Sequence, residues 1–319
     1  MNAFPKIVAL NYWIVYGKLR ISRSIAVALF LGSIAATQTY AQTATQIVVD
    51  CGTSLGTYKR FWGGLGQASF NEGVLGAPNR LYFNLIKEAN SNGRQAFQFF
   101  RSTSMLDNNR HKSGEEIGAY VYSEDENGNP QYYWDIVDQV CDVLLASKLK
   151  PIINFSFMPA ALASDPERLN PWFDSNVSPP RDYDKWRELA FQVVKHLEER
   201  YGAEEIESWY FEVWNEPDLA TLFWISHPDT ANYPPRKSDY REYYKLYDYT
   251  VDGAIRANSN IRIGGPAIAG DIDFYINKWM PHLLNEINYA TGEVGGRLDF
   301  VSRHTYGPTE KIIGKYEIL

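Results

Sequence analysis

The sequence predicts an α/β fold, a (β/α)8 (TIM) barrel that is incomplete, with about six of its eight βα units present. Short apolar segments alternate with amphipathic helical segments, a pattern typical of parallel strands joined by right-handed crossovers. Polar clusters follow several of the apolar segments, as they do at the carboxyl-terminal face of such barrels. The chain has 319 residues, of which 45% are hydrophobic, so it can bury one large core.

The predicted strands are short and rich in aromatic, β-branched or glycine residues. They lie at 61–66, 96–101, 151–157, 210–214, 261–267 and 298–304. Helices are predicted between them at 80–90, 132–148, 238–257 and 274–288, and another helix begins at a cap residue, Asp184. Apolar positions of this last helix follow the 3.6-residue period: Trp186, Leu189, Ala190, Val193, Val194 and Leu197.

A doubly wound open sheet is the alternative architecture, because six strands are enough for it, whereas a closed barrel needs eight. The sequence gives two observations against it. No glycine-rich phosphate loop follows the first predicted strand, and the polar clusters fall at several strand ends rather than at one crevice.

Residues 1–41 have the pattern of a signal peptide, and 42–319 form the predicted barrel domain. Lys18, Arg20 and Arg23 precede the apolar run 25–36, and small residues around Ala41 match a cleavage site. The run is too short to span a bilayer comfortably. We therefore expect export to a periplasm or beyond, without stable membrane association after cleavage; an uncleaved anchor is the alternative.

Composition gives no indication of a nucleic-acid partner, a metal or a cofactor. The net charge is -7 without a basic stripe, and the four histidines other than His304 lack ligand spacing. Residues 125–129 resemble the start of a calcium loop, but Pro130 replaces the required glycine, so a surface turn is predicted. The two cysteines are too few for a disulfide framework, and Cys141 fits the buried face of a helix; a bond to Cys51 is left open.

Residues 209–219, Trp-Tyr-Phe-Glu-Val-Trp-Asn-Glu-Pro-Asp-Leu, are central to the functional prediction. Aromatic and β-branched residues favour a buried strand, which Pro217 ends because proline has no N–H for the ladder. Glu216 is thereby placed at the carboxyl end of the strand, where barrels carry their functional groups. A solvated carboxylate in an ordinary strand-to-helix loop is the alternative interpretation.

This stretch resembles the acid/base strand of glycoside hydrolase family 39, the β-xylosidase and α-L-iduronidase family. Two further stretches are similar to signatures of that family: Asn154-Phe-Ser-Phe-Met-Pro159 with Ala163-Ser164 at the third strand, and Asp299-Phe-Val-Ser-Arg-His-Thr-Tyr306 at the sixth. The three stretches occur in the family's order, and the resemblance covers roughly residues 60–308.

The resemblance implies a retaining double displacement on the glycosidic bond of a carbohydrate, with no cofactor. Glu216 would be the general acid/base, Asn215 would bond the sugar 2-hydroxyl, and His304 and Tyr306 would line the site. The family places its nucleophile, a second Glu, on the seventh strand, so we expect the sequence to be truncated before it. A non-catalytic carbohydrate-binding protein or an inactive fragment is the alternative.

The chain departs from the family's pattern at two positions. It has Arg101-Ser-Thr-Ser104 where the family has Arg-Phe-His-Gly, so Thr103 replaces a substrate-binding histidine. Asn154 stands where an acidic residue is expected. Arg101 and Thr103 are kept as candidate substrate-binding residues, and so is Trp224, whose ring could stack on a sugar or pack within its loop.

Strand parity gives two further predictions. Glu212 shares the parity of Glu216, so it points into the barrel and needs a partner, for which Arg101 is the candidate. The alternative is an exposed carboxylate near the start of the strand. Asn215 has the opposite parity, so a bulge or sharp turn is predicted at the strand end if both Asn215 and Glu216 contact the sugar.

Overall fold

The computed structural model describes residues 63–67, 72–76, 79–91, 93, 95–106, 120–170, 174–223, 240–270 and 275–308. The predicted signal peptide, Cys51 and Trp224 lie outside these ranges. Within them, no helix has the length and apolar character needed to cross a membrane.

The described elements follow one another as βα units with one inserted hairpin. In chain order they are β1 Gly64–Gln67, α1 Glu72–Leu75, α2 Asn79–Ala89, β2 Phe99–Ser102, β3 Tyr122–Glu124, β4 Pro130–Tyr132, α3 Asp135–Ala146, β5 Lys150–Phe155, α4 Tyr183–Tyr201, α5 Ala203–Glu207, β6 Tyr210–Val213, α6 Tyr240–Ala257, β7 Arg262–Ile268, a π-helical turn Tyr275–Trp279, α7 Met280–Asn285 and β8 Phe300–Arg303.

The main sheet confirms the predicted incomplete barrel. Its order is β1-β2-β5-β6-β7-β8, and every neighbouring pair is parallel. Each strand therefore pairs with the preceding strand of the sheet along the chain. A doubly wound sheet would reverse direction at a switch point; none occurs among the described strands, which form six successive units of a (β/α)8 barrel.

The antiparallel hairpin β3–β4 was not predicted from the sequence. Its turn is the predicted surface turn: one oxygen of Asp125 accepts the backbone N–H groups of Asn127 and Asn129, both at 2.8 Å. Glu124 attaches the hairpin to α4, because its carboxylate accepts bonds from Arg181 at 2.5 Å and Lys185 at 2.9 Å. The surface-turn prediction is thus confirmed.

Three predicted helices have wrong boundaries. The helix predicted at 132–148 begins at Asp135 and ends at Ala146, because Tyr132 belongs to β4. The cap of α4 is Asp182, not Asp184, because the Asp182 carboxylate reaches the free N–H groups of Asp184 at 3.0 Å and Lys185 at 3.1 Å. The predicted helix 274–288 begins with the π-helical turn and ends at Asn285. Beyond it, the chain turns through a loop in which Asn288 N–H donates to the carbonyl of Glu293.

Two long helices, α4 and α6, pack closely together beside the sheet. The indole N–H of Trp186 on α4 donates to Thr250 Oγ1 on α6 at 2.8 Å, and both residues are buried. Gly253 allows the close approach, since a Cβ there would lie 2.1 Å from the carbonyl oxygen of Arg187. On α3, Cys141 is free and fully buried as predicted, and burial raises the pKa of its thiol.

Candidate active site

Residues at the carboxyl ends of five strands bond to one another at one edge of the sheet. Because all six strands are parallel, their carboxyl ends face the same side, and side chains from separate parts of the sequence meet there. The bonded residues come from the ends of β2, β5, β6, β7 and β8, and they include Glu216, the central residue of the sequence analysis.

A sharp turn at the end of β6 carries Glu216, and such a turn is what strand parity requires if both Asn215 and Glu216 contact the sugar. Trp214 has φ of 70° and Glu216 has φ of 51°, so the regular pleat stops after Val213. Positive φ is unusual for such residues and persists only where surrounding contacts enforce it. Here Glu216 N–H donates to the carbonyl of Ala267 at 3.1 Å, and Asp218 accepts the N–H groups of residues 269 and 270.

The strand before the turn is held by a buried tyrosine. Tyr243 on α6 donates its hydroxyl to the carbonyl of Val213 at 3.0 Å. Burial, and then the negative charge of neighbouring acidic groups, raises the pKa of Tyr243, so the hydroxyl keeps its proton and remains a donor. The turn therefore has fixed contacts on both its α6 side and its β7 side.

Glu216 contacts His304, a second residue of the sequence prediction. Glu216 Oε1 lies 2.7 Å from His304 Nδ1, and the side chains are 17% and 21% exposed. His304 is placed by its backbone, since its N–H donates to the carbonyl of Ile268 at 2.8 Å. The carboxyl group is therefore partly shielded, still reachable from solvent, and within hydrogen-bond distance of an imidazole nitrogen.

Arg101 joins Glu212 and Asn215, and this confirms the predicted pairing of Arg101 with Glu212. Arg101 Nε donates to Glu212 Oε2 at 2.8 Å, and its Nη2 donates to Asn215 Oδ1 at 2.9 Å. Glu212 is 2% exposed, so this charge is compensated inside the protein. Because a guanidinium only donates, the oxygen of Asn215 must face it, and within the described chain both N–H donors of Asn215 stay available.

Asn154 and Ser156 belong to the same cluster, and the sequence alone predicts a structural role for neither of them. Asn154 Nδ2 donates to Glu212 Oε2 and to the carbonyl of Trp214, both at 2.7 Å. Ser156 Oγ donates to Asn154 Oδ1 and accepts the N–H of Ser104 at 3.2 Å. The only sign of these contacts in the sequence is that Asn154 stands where the family has an acidic residue. Spacing alone does not show which buried side chains meet.

Of the remaining sequence candidates, Thr103 and Tyr306 lie in the described part of the chain, and neither bonds to Glu216 there. Thr103 follows β2 and is buried, with 4% exposure, whereas Tyr306 is 81% exposed two residues beyond His304. Trp224 lies outside the described residues. Their roles in binding remain predictions. Across the described part of the chain, no group of three or more His, Cys, Asp or Glu side chains is arranged to hold a metal ion.

The fold and this cluster define a protein of the (β/α)8-barrel class with its polar groups at the carboxyl-terminal face. The model of glycosyl hydrolases family 39 matches residues 86–319. The chain belongs to that family. The sequence-based resemblance to family 39 is thereby confirmed.

Individual relatives agree with the family assignment. A β-xylosidase of Geobacillus stearothermophilus is 36% identical over 211 residues, which are 66% of this chain and 36% of that protein. A human α-L-iduronidase is 31% identical over 135 residues, 40% of this chain and 18% of that protein. The crystal structure of a monomeric β-xylosidase from Caulobacter crescentus matches with a TM-score of 0.61 and 25% identity, covering 82% of this chain and 48% of that one.

Proposed function

We propose that this chain forms the acid/base part of a retaining glycoside hydrolase that cleaves O-glycosidic bonds of an oligo- or polysaccharide, in the manner of a β-xylosidase. Glu216 is the proposed general acid/base. The observation that carries the proposal is the placement of its carboxyl group at a strand's carboxyl end, 2.7 Å from His304 and 17% exposed. The chain spans about a third of the length of the β-xylosidases it matches, 36% and 31%.

The proposed chemistry needs a proton donor on one side of the scissile bond and an attacking carboxylate on the other. In retaining enzymes these carboxyl groups lie roughly 5–5.5 Å apart. Glu216 would protonate the departing oxygen and then, as the base, activate the water that releases the sugar. We propose that the attacking Glu lies on a seventh strand, C-terminal to residue 319.

The other residues of the cluster would bind and orient the sugar. Asn215 offers two N–H donors, and a hydrogen bond from them to the sugar 2-hydroxyl is the role implied by the family. His304 would share the proton of Glu216 and hold its carboxyl group in place. Thr103, Tyr306 and Trp224 are kept as proposed contacts to parts of the substrate farther from the reacting bond. We also propose export of the protein, from the signal-peptide pattern at 1–41.

The leaving-group dependence of a Glu216→Ala variant of the full-length protein tests the assignment. A substrate with a poor leaving group needs the acid to protonate the departing oxygen. The aryl group of an activated aryl xyloside departs without protonation. We therefore expect kcat/KM for an alkyl or disaccharide substrate to fall about 10²- to 10⁴-fold, and the rate of the glycosyl-transfer step on the aryl substrate to fall much less.

A Glu293→Ala variant is the matched control, because Glu293 is an exposed carboxylate in the loop before β8. It should behave like the wild type on both substrates. Equal losses on both substrates for Glu216→Ala would contradict the acid/base role. An inactive wild type with measurable sugar binding would instead favour the non-catalytic alternative.

A further inference from the structure

We propose that Asn154 is a positioning residue, whose side-chain amide holds the turn that carries Glu216. The inference rests on the proposed function of Glu216. It begins with two bonds from Asn154 Nδ2, one to the carboxylate of Glu212 and one to the carbonyl of Trp214, both at 2.7 Å.

The chemistry of the neighbours fixes the orientation of this amide. A carboxylate and a carbonyl can only accept hydrogen bonds, so the NH2 group of Asn154 must face Glu212 and Trp214. The amide oxygen then faces Ser156, whose hydroxyl donates to it. Asn154 and Ser156 are both 0% exposed, and the amide thus uses both of its hydrogens and its oxygen inside the protein.

The bond to the Trp214 carbonyl acts on the turn itself. Trp214 and Glu216 are the two residues with positive φ, 70° and 51°, that take the chain out of β6. A buried carbonyl without a hydrogen-bond partner destabilises the fold, because it has lost its hydration. Asn154 removes that destabilisation in the turned conformation, and it therefore favours the conformation that brings Glu216 to His304.

The bond to Glu212 acts on the sugar-binding side of the cluster. One oxygen of Glu212, Oε2, accepts hydrogen bonds from both Asn154 and Arg101, at 2.7 and 2.8 Å. Arg101 in turn holds Asn215 through its oxygen at 2.9 Å. Asn154 thereby links Glu216, the proposed acid/base, to Asn215, which presents N–H donors. Asn154 itself is buried and touches neither reacting group.

The identity of residue 154 matters because an acidic side chain, which the family resemblance predicts there, could not make these bonds when ionised. A carboxylate has no donor, and at this position it would face Glu212 at hydrogen-bonding distance. The charged groups joined to this position are Glu212, which Asn154 contacts directly, and Arg101, which bonds to the same oxygen of Glu212. Two carboxylates in contact favour a shared proton, which gives one donor back at acidic pH.

The test is the Asn154→Asp variant of the full-length protein, measured beside Glu216→Ala. We expect kcat on the poor-leaving-group substrate to fall about a hundredfold at neutral pH, because a displacement near 1 Å costs that much, with KM changed by less than about threefold. The glycosyl-transfer step on the aryl substrate, followed as kcat/KM, should lose less than about threefold, since it needs little protonation. Relative to wild type, the deficit should shrink as pH is lowered.

The matched control is Asn90→Asp. Asn90 is also buried, with 3% exposure, and donates its amide to the carbonyl of Ser147 at 3.1 Å, away from the strand carboxyl ends. A purely structural defect, as in this control, lowers the fraction of folded protein. It leaves unchanged both the ratio of the rates on the two substrates and the pH dependence of that ratio. An Asn154→Asp variant that matches the control on both readouts would overturn the proposal.

Failure of the two ideas can be told apart. If Glu216→Ala slows both substrates equally, the proposed function fails, whatever Asn154→Asp does. If Asn154→Asp does not fold at neutral pH, the double variant Asn154→Asp with Glu212→Gln is measured instead, because it leaves a single carboxylate at the contact and removes the repulsion. The double variant should fold and should still lose more rate on the poor-leaving-group substrate than on the aryl substrate. A double variant as unstable as Asn154→Asp would overturn the proposed contact.

Discussion

Arg101 is the residue on which two neighbours in the cluster depend. It neutralises Glu212 and orients Asn215, with its own side chain 19% exposed and that of Glu212 3% exposed. A buried pair of this kind adds little net stability compared with an apolar replacement, yet removing one partner leaves an uncompensated charge. Arg101 therefore contributes to the geometry of the cluster as well as to the stability of the fold.

We predict that Arg101→Ala lowers the free energy of unfolding by about 3–5 kcal/mol, because Glu212 is left buried without its cation. Urea unfolding of the wild type and the variant measures the change. Arg181→Ala is the matched control: Arg181 pairs with Glu124 but is 51% exposed, so its loss should cost less than about 1 kcal/mol. Similar losses for the two variants would show that the Glu212 pair is hydrated.

At the scale of single elements, the N-terminal cap determines where α4 begins. From the sequence the cap is predicted at Asp184, and the 3.6-residue period of the apolar face does not show where the first turn begins. The structure does, because only Asp182 accepts the N–H groups of the first turn. Asp184 instead pairs with Arg187 one turn along the helix and is 75% exposed.

Asp182→Ala should therefore lower the free energy of unfolding by about 1 kcal/mol, the usual cost of losing an N-terminal cap. Asp184→Ala, the matched control, removes an exposed ion pair and a first-turn charge and should cost less than about half as much. Chemical unfolding of both variants measures the difference. A larger loss for Asp184→Ala would contradict the observed cap.

The contact between α6 and α7 contains a buried histidine. His282 on α7 bonds Asp248 on α6 at 3.0 Å and Glu286 at 3.1 Å, and its ring stacks on Tyr244 and Tyr289. Burial alone would lower the pKa of His282, but the bonds and charges of Asp248 and Glu286 outweigh it and raise the pKa. The protonated ring is thus favoured in the folded protein.

This contact should make stability depend on pH. With a raised folded-state pKa, the stabilisation is fully present below the unfolded value of about 6.5 and is lost as pH rises through the folded-state pKa. The difference in unfolding free energy between wild type and His282→Gln should shrink over that range. A difference that grows with pH would contradict the assignment, and Asp248→Asn should remove most of the dependence.

At the scale of the whole molecule, the sequence predicted the order and direction of the main strands because each is a compact apolar segment followed by a helix. It did not predict β3–β4, since strands of three residues, one beginning with Pro130, give too short a pattern. Within the cluster, parity predicted that Glu212 points inward and needs a partner, for which Arg101 was the candidate, and that a turn follows if Asn215 and Glu216 both contact the sugar. The roles of Asn154, Ser156 and Asp218 required three-dimensional contacts between distant strands.

The most direct test of the central claim compares two losses of kcat/KM in Glu216→Ala of the full-length protein. One is measured on a substrate with a poor leaving group and the other on an activated aryl xyloside. If Glu216 donates the proton, the first loss should exceed the second by about a hundredfold or more. A ratio near one would contradict the claim and would leave the contact between Glu216 and His304 as a structural feature only.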